Sequence, residues 1–222
     1  METSDSIRQL IISALPILVA ITFHEISHGF VAYRLGDPTA KMLGRLMINP
    51  LAHIDPVGTI LMPVMLFIFT NGQFVFGYAK PVPINPANFK NPRRDMAISA
   101  AAGPITNLSL AIASLLILKF ILLPASVFFP SRMFNAVLTP LTLMFTSSII
   151  VNVVLAAFNL IPIPPLDGGR VLTGLLPHQY AVSFSRIEPF GFIIVIILIA
   201  TGLAGIFVKP LINLFLAFLQ LF

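Results

Sequence analysis

The sequence predicts an all-α polytopic membrane protein with about four full membrane spans, a re-entrant hairpin with an extended loop, and a short C-terminal apolar segment. Three observations carry this. Of 222 residues, 57% are hydrophobic and only 9% charged, against about 25% charged in a soluble globular domain. Eight acids and thirteen bases cannot clothe a soluble fold of this size, so lipid must be the solvent for most side chains. Several apolar stretches also reach the roughly 20 helical residues that a hydrocarbon core of about 30 Å demands.

The first span is read over residues 7–35, apolar from Leu10 to Phe23, polar at HEISH, then apolar again through GFVAYRL. Its start, METSDSIRQL, lacks a basic n-region and a small-residue cleavage site, so the span is expected to be retained. The second apolar region, 56–70, is short for a crossing, and the QFVFGYAKPVPINP that follows carries prolines and aromatics suited to strand or polyproline conformation. A re-entrant hairpin fits this better than a crossing. Residues 95–123, 136–161 and 190–208 read as conventional spans, and 211–222 is too short to cross and is expected at the interface. No repeat, heptad or polar linker divides the chain, so 1–222 is treated as one domain.

Charge placement sets the expected orientation. If the second region turns back, Arg34, Lys41, Arg45, Lys80, Lys90, Arg93, Arg94, Arg170 and Arg186 share one side, against Arg8, Lys119, Arg132 and Lys209 on the other. Nine against four marks the first side as cytoplasmic and the N-terminus as outside. A full second crossing would leave seven against six. The net charge of +5 is thus explained by topology, and no basic cluster on a polar background suggests nucleic acid. With no cysteine in the chain, metal ligands must come from His, Asp or Glu.

The chemistry concentrates in HEISH. On a helix His24 and His28 lie one turn apart on one face, so both imidazoles can reach a single ion at about 2.1 Å, with Glu25 beside them. Such a pair needs a third ligand and leaves a position for water, whose proton Glu25 can take. With four His and three Glu in the chain, H-E-x-x-H is expected by chance on the order of 0.001 times. A hydrogen-bonded structural cluster is the competing reading, but ionisable groups at membrane depth are costly and normally functional.

The third ligand is sought among the eight acids, Glu2, Asp5, Glu25, Asp37, Asp55, Asp95, Asp167 and Glu188. Asp167 stands in NLIPIPPLDGGR, directly after the fourth region, where Pro162, Pro164 and Pro165 forbid regular helix and Gly168 and Gly169 permit tight turns. Broken backbone at membrane depth is tolerated only where protein or a wet cavity satisfies it. Taken alone Asp167 reads as a helix cap; beside HEISH it reads as the ligand, with Glu188 the late alternative. His53, in NPLAHID, is expected to make a structural or gating contact, His178 to be a solvated loop residue, and Asn107 to pack between helices, where Gly103 allows close approach. The run FVFGYAKPVPIN has two readings, an exposed edge offered to an unwound peptide or a surface loop dipping into lipid.

HEISH on a first span together with NLIPIPPLDGGR after a later one resembles the site-2 protease family of intramembrane zinc metalloproteases. The resemblance extends through AAGPITNL at 101–108, and NPLAHIDPVGT with FGYAKPVPINP resembles small bacterial members without a PDZ or CBS domain. It covers roughly residues 20–175. It implies one Zn2+ held by His24, His28 and Asp167, Glu25 as general base, and Asn159 assisting at the substrate carbonyl or transition state. The implied partners are membrane-protein substrates and the lipid bilayer. The implied location is the bacterial cell membrane, the site opening to the cytoplasm. The oligomeric state is left open. A membrane metal-binding or transport protein is the alternative, and it gives Glu25 no role as a proton shuttle.

Overall fold

The computed structural model describes residues 2–69, 77–128 and 134–222. All regular structure among them is helical. In chain order the helices are α1 (Glu2–Arg34), α2 (Thr39–Met42), α3 (Met62–Phe69), α4 (Pro92–Ile117), α5 (Leu123–Phe128), α6 (Thr139–Asn159), α7 (Asp167–Leu175), α8 (His178–Ser185), α9 (Glu188–Ala200) and α10 (Ala204–Leu219). Three stretches are long and apolar enough to cross a membrane, Ile12–Arg34, Pro92–Ala125 and Ala136–Asn159. A fourth is reached only if the pair α8 and α9, bent by 67°, counts as one span.

Helix α4 is the centre of the bundle, packed against α1, α6 and α7, while α6 also packs on α1 and α10. Sequence dictates why. The buried face of α4 is small and polar, with Ser99, Ala100, Gly103, Asn107, Ala111 and Ser114, and it lets backbones approach closely. Its outer face is large and apolar: Ile105 is 60% exposed while Asn107, two residues on, is 0% exposed. Polar inside and apolar outside inverts the soluble pattern, as expected of an integral membrane protein whose surroundings are hydrocarbon. On α1 the row Pro16, Ala20, His24, His28, Ala32, one residue in every four, is buried, which carries both imidazoles to the inner face.

The expected fifth span differs from what is observed. Residues 190–208 do not form one helix, because α9 ends at Ala200 and Gly202, at φ +75°, turns the chain before α10 begins. Residues 211–219 of the tail belong to α10, whose Leu219 packs against Ala111 and Val153.

The region after α2 comes back on itself. Pro56–Leu61 is a π-helical stretch leading into α3, and beyond it the returning chain donates Tyr78 N–H to Gly58 C=O and Lys80 N–H to His53 C=O. Thr59 Oγ1 donates to Tyr78 C=O at 2.8 Å. The returning segment 77–85 is non-helical and enters no strand ladder; Pro81 and Pro83 have no N–H to give one. The expected aromatic start of this segment, residues 74–76, and Arg132 from the charge count lie outside the described residues.

Asp37 ties the far end of this segment to α1. Gly36, at φ +112°, ends the helix, and the fully buried Asp37 carboxylate accepts from the Thr39 N–H and hydroxyl, the Asn88 amide and the Asn85 N–H. Burial alone would raise its pKa, but these hydrogen bonds, led by those of Thr39 and Asn88, hold it below the ordinary carboxylate value. A depressed folded-state pKa adds stability that is present above the unfolded value of about 3.9 and is lost as pH falls through the folded one. Asp37→Asn turns an amide N–H towards the donors it replaces an acceptor for. It is expected to cost about 1–3 kcal/mol at neutral pH and to flatten the loss of melting temperature on acidification below pH 4, both read by thermal unfolding in detergent.

Candidate metal centre

Two breaks in helical regularity build the site. Helix α1 brings His24 and His28 inward, and the non-helical Leu160–Leu166 link between α6 and α7 delivers Asp167 as the first residue of α7. The link packs so tightly that a Cβ on Gly168 would lie 2.3 Å from Leu160 O, and one on Gly169 2.2 Å from Pro164 N. The proline-broken passage at the end of the fourth region therefore stands as the sequence suggests, and it turns the Asp167 carboxylate towards HEISH.

The ligand atoms converge. His24 Nε2 lies 3.1 Å from His28 Nε2, 3.2 Å from Asp167 Oδ2, and His28 Nε2 lies 3.3 Å from Asp167 Oδ1. A tetrahedral zinc with arms of about 2.1 Å spaces its ligand atoms about 3.4 Å apart. Among the described residues, His24, His28 and Asp167 are the group of His, Asp and Glu able to share an ion, and all are buried. Behind the site, His28 Nδ1 lies 2.8 Å from the Ser99 C=O, which only accepts, so Nδ1 carries the proton and Nε2 points its lone pair inward. His24 Nδ1 likewise meets Asn107 Oδ1 at 2.6 Å. Two imidazole lone pairs and a carboxylate thus face one another, and the buried Asp167 Oδ2 has no hydrogen-bond partner. A shared cation resolves this arrangement, and the donor set of two nitrogens and a carboxylate oxygen fits Zn2+.

Glu25 stands beside the centre, half-buried, and its Oε2 accepts the Val82 N–H at 2.8 Å. A cavity of about 350 Å³ opens onto the group, lined by His24, Glu25, His28, Asn159, Asp167 and Val82 among others. Asn159 lines it while donating its amide back to the Leu155 C=O, so it also satisfies a carbonyl at the end of α6. His53 is buried apart from the centre, with Nε2 3.2 Å from Met47 O. Glu188, the late alternative, faces Arg170 at 3.6 Å and is not in the group whose ligand atoms converge. His178 is exposed at the start of α8. The sequence marks Asn107 as a packing amide but not as the partner of His24, and it does not reveal the Ser99 carbonyl behind His28 or the Val82 N–H on Glu25.

Gly103 is the floor of the site. A Cβ there would lie 2.5 Å from His24 Cε1 and from both His28 Cε1 and Nε2, nearer than side chains approach. Gly103→Ala is expected to leave a membrane-inserted protein with its zinc content sharply reduced, measured by elemental analysis of purified protein. Unchanged stoichiometry and affinity would show that the two rings yield.

Fold and site together make an integral membrane protein, a bundle of apolar membrane-spanning helices around a buried His-His-Asp centre suited to zinc. The chain belongs to peptidase family M50, whose family model matches residues 130–202. It is 39% identical over 197 residues to YwhC of Bacillus subtilis, provisionally named a zinc metalloprotease, covering 89% of this chain and 84% of that one. Rip2 of Mycolicibacterium smegmatis, provisionally named likewise, is 28% identical, and the match covers 83% of this chain but 64% of Rip2. Zinc metalloprotease MJ0392 of Methanocaldococcus jannaschii is 25% identical, with 34% of its length covered. No solved structure matches the chain.

Proposed function

We propose that this chain is an intramembrane endopeptidase, hydrolysing peptide bonds in or near transmembrane segments of membrane-protein substrates. His24, His28 and Asp167 hold one zinc ion, Glu25 is the general base, and Asn159 hydrogen-bonds the substrate carbonyl as charge develops on it. One observation carries the reading. Three ligand atoms with no proton to share converge on a helix of membrane-spanning length, beside a carboxylate and a cavity.

Zinc supplies a Lewis acid that lowers the pKa of water to about 7. The remaining work falls to the chain. Glu25, steadied by the Val82 N–H, takes the proton of the attacking water and returns it to the leaving amine. The substrate must reach the cavity unwound, since a helix shields its carbonyls. In the returning segment, Tyr78 and Lys80 donate their N–H groups to Gly58 and His53 and Val82 donates to Glu25, and the non-helical stretch presents Ala79 and Pro81 as an edge along the cavity. That edge suits pairing with an extended substrate stretch.

The same reading takes 1–222 as one domain in the bacterial cell membrane, with about four full spans. The N-terminus lies outside and the site opens to the cytoplasm. The return of Tyr78 and Lys80 to Gly58 and His53 supports a re-entrant second region. So does the meeting of Asp167 with HEISH, which a full crossing would set on opposite faces. The test is to compare new protein termini in membranes carrying the native chain or Glu25→Gln. Termini present with the native chain and missing with the variant are expected; identical sets would overturn the protease reading.

A further inference from the structure

We infer that Asn107 and Asn152 are positioning residues that fix the ring tautomer of His24, through a hydrogen-bond chain whose polarity is set by backbone carbonyls. The inference rests on His24 being a zinc ligand. Asn107 is 0% and Asn152 1% exposed, so neither amide has water to turn to. Asn152 donates its Nδ2 to the Ser148 C=O at 2.9 Å and to Ser148 Oγ at 3.2 Å. A carbonyl only accepts, so the Asn152 amide is fixed with its nitrogen towards Ser148 and its Oδ1 facing back. That oxygen receives Asn107 Nδ2 at 2.8 Å. The same Asn107 nitrogen also reaches the Ala20 C=O at 3.3 Å, a second acceptor demanding the same orientation.

With its nitrogen committed twice, Asn107 has only Oδ1 left for His24, and it presents it at 2.6 Å from Nδ1. An acceptor there places the His24 proton on Nδ1 and leaves Nε2 bare towards His28 and Asp167. Had the amide been free to flip, its N–H would favour the opposite tautomer and put a proton where an ion must bind. Three elements cooperate: α1 supplies His24 and the Ala20 carbonyl, α4 supplies Asn107, and α6 supplies Asn152 and Ser148. Amides in apolar spans are costly; here the cost secures a ligand in its metal-ready form.

The experiment measures zinc affinity of the purified full-length protein in detergent by competition with a chromophoric chelator. Asn107→Leu, similar in volume but without an acceptor, is expected to weaken binding about 10–100-fold. Asn107→Asp keeps the acceptor for Nδ1–H and is expected to hold zinc within a few-fold of native. A packing role alone gives the reverse order, since a buried carboxylate facing Asn152 Oδ1 and Ala20 O disturbs packing more than Leu does. Asn152→Leu, which leaves the Ala20 carbonyl to orient Asn107, is expected to fall between native and Asn107→Leu. Native affinity in Asn107→Leu, or weaker binding in Asn107→Asp than in Asn107→Leu, overturns the inference. His24→Ala in the same titration separates the two readings, because full zinc retention there removes His24 as a ligand.

Discussion

Asp167→Ala is expected to strip zinc from the purified protein and abolish proteolysis. The two imidazoles that remain stand on one helix with their Nε2 atoms 3.1 Å apart. They leave an ion with half a tetrahedron and no negative charge among its ligands, in a buried site where the 2+ charge has little water to compensate it. Loss of a partner behind a ligand costs about 10–100-fold in affinity, and loss of a ligand should exceed that. Glu188→Ala serves as the control. Glu188 meets Arg170 and not the centre, so its removal is expected to leave zinc stoichiometry unchanged. Full occupancy in Asp167→Ala would sink the assignment. Elemental analysis with chelator competition reads both variants, and membrane insertion is checked on the same preparation.

How much of this was legible beforehand follows from what a one-dimensional pattern can encode. His24 and His28 share a helix, so their spacing alone gives their common face. Asp167 was legible because a carboxylate follows three prolines and precedes two glycines at the end of an apolar span, a break that lipid does not tolerate without cause. Asn107 was visible as an amide in an apolar span and was read as packing. Its partner His24 comes from another helix, and no spacing along α4 tells which side chain of α1 arrives behind it. The Val82 N–H on Glu25 was hidden for the same reason, being a backbone contact across 57 positions. The division of residues 190–208 turns on one glycine; Gly is common enough in membrane spans that its left-handed conformation at position 202 was not a readable stop.

Glu25→Gln is expected to keep its zinc and lose catalysis. Gln is nearly the same shape, and its carbonyl oxygen can still accept the Val82 N–H that Glu25 Oε2 accepts at 2.8 Å, so the side chain keeps its place by the cavity. Glu25 is not one of the three residues whose ligand atoms converge, so the stoichiometry should hold. What disappears is basicity, because an amide cannot take the proton of the attacking water or deliver it to the leaving amine. General acid–base catalysis contributes about 10²–10⁴-fold, and cleavage of a membrane-protein substrate in reconstituted liposomes should fall by that factor. The pairing of the two readouts gives the variant its force. Zinc lost together with activity would make Glu25 part of the site's structure, while native cleavage with zinc retained would remove it from the chemistry. A change in zinc flux across the liposome membrane with no proteolysis by either form would favour an ion-conducting role for the same residues. Zinc held and cleavage lost would separate the base from the ligands beside it, the Val82-bound carboxylate from the converging Nε2 and Oδ atoms.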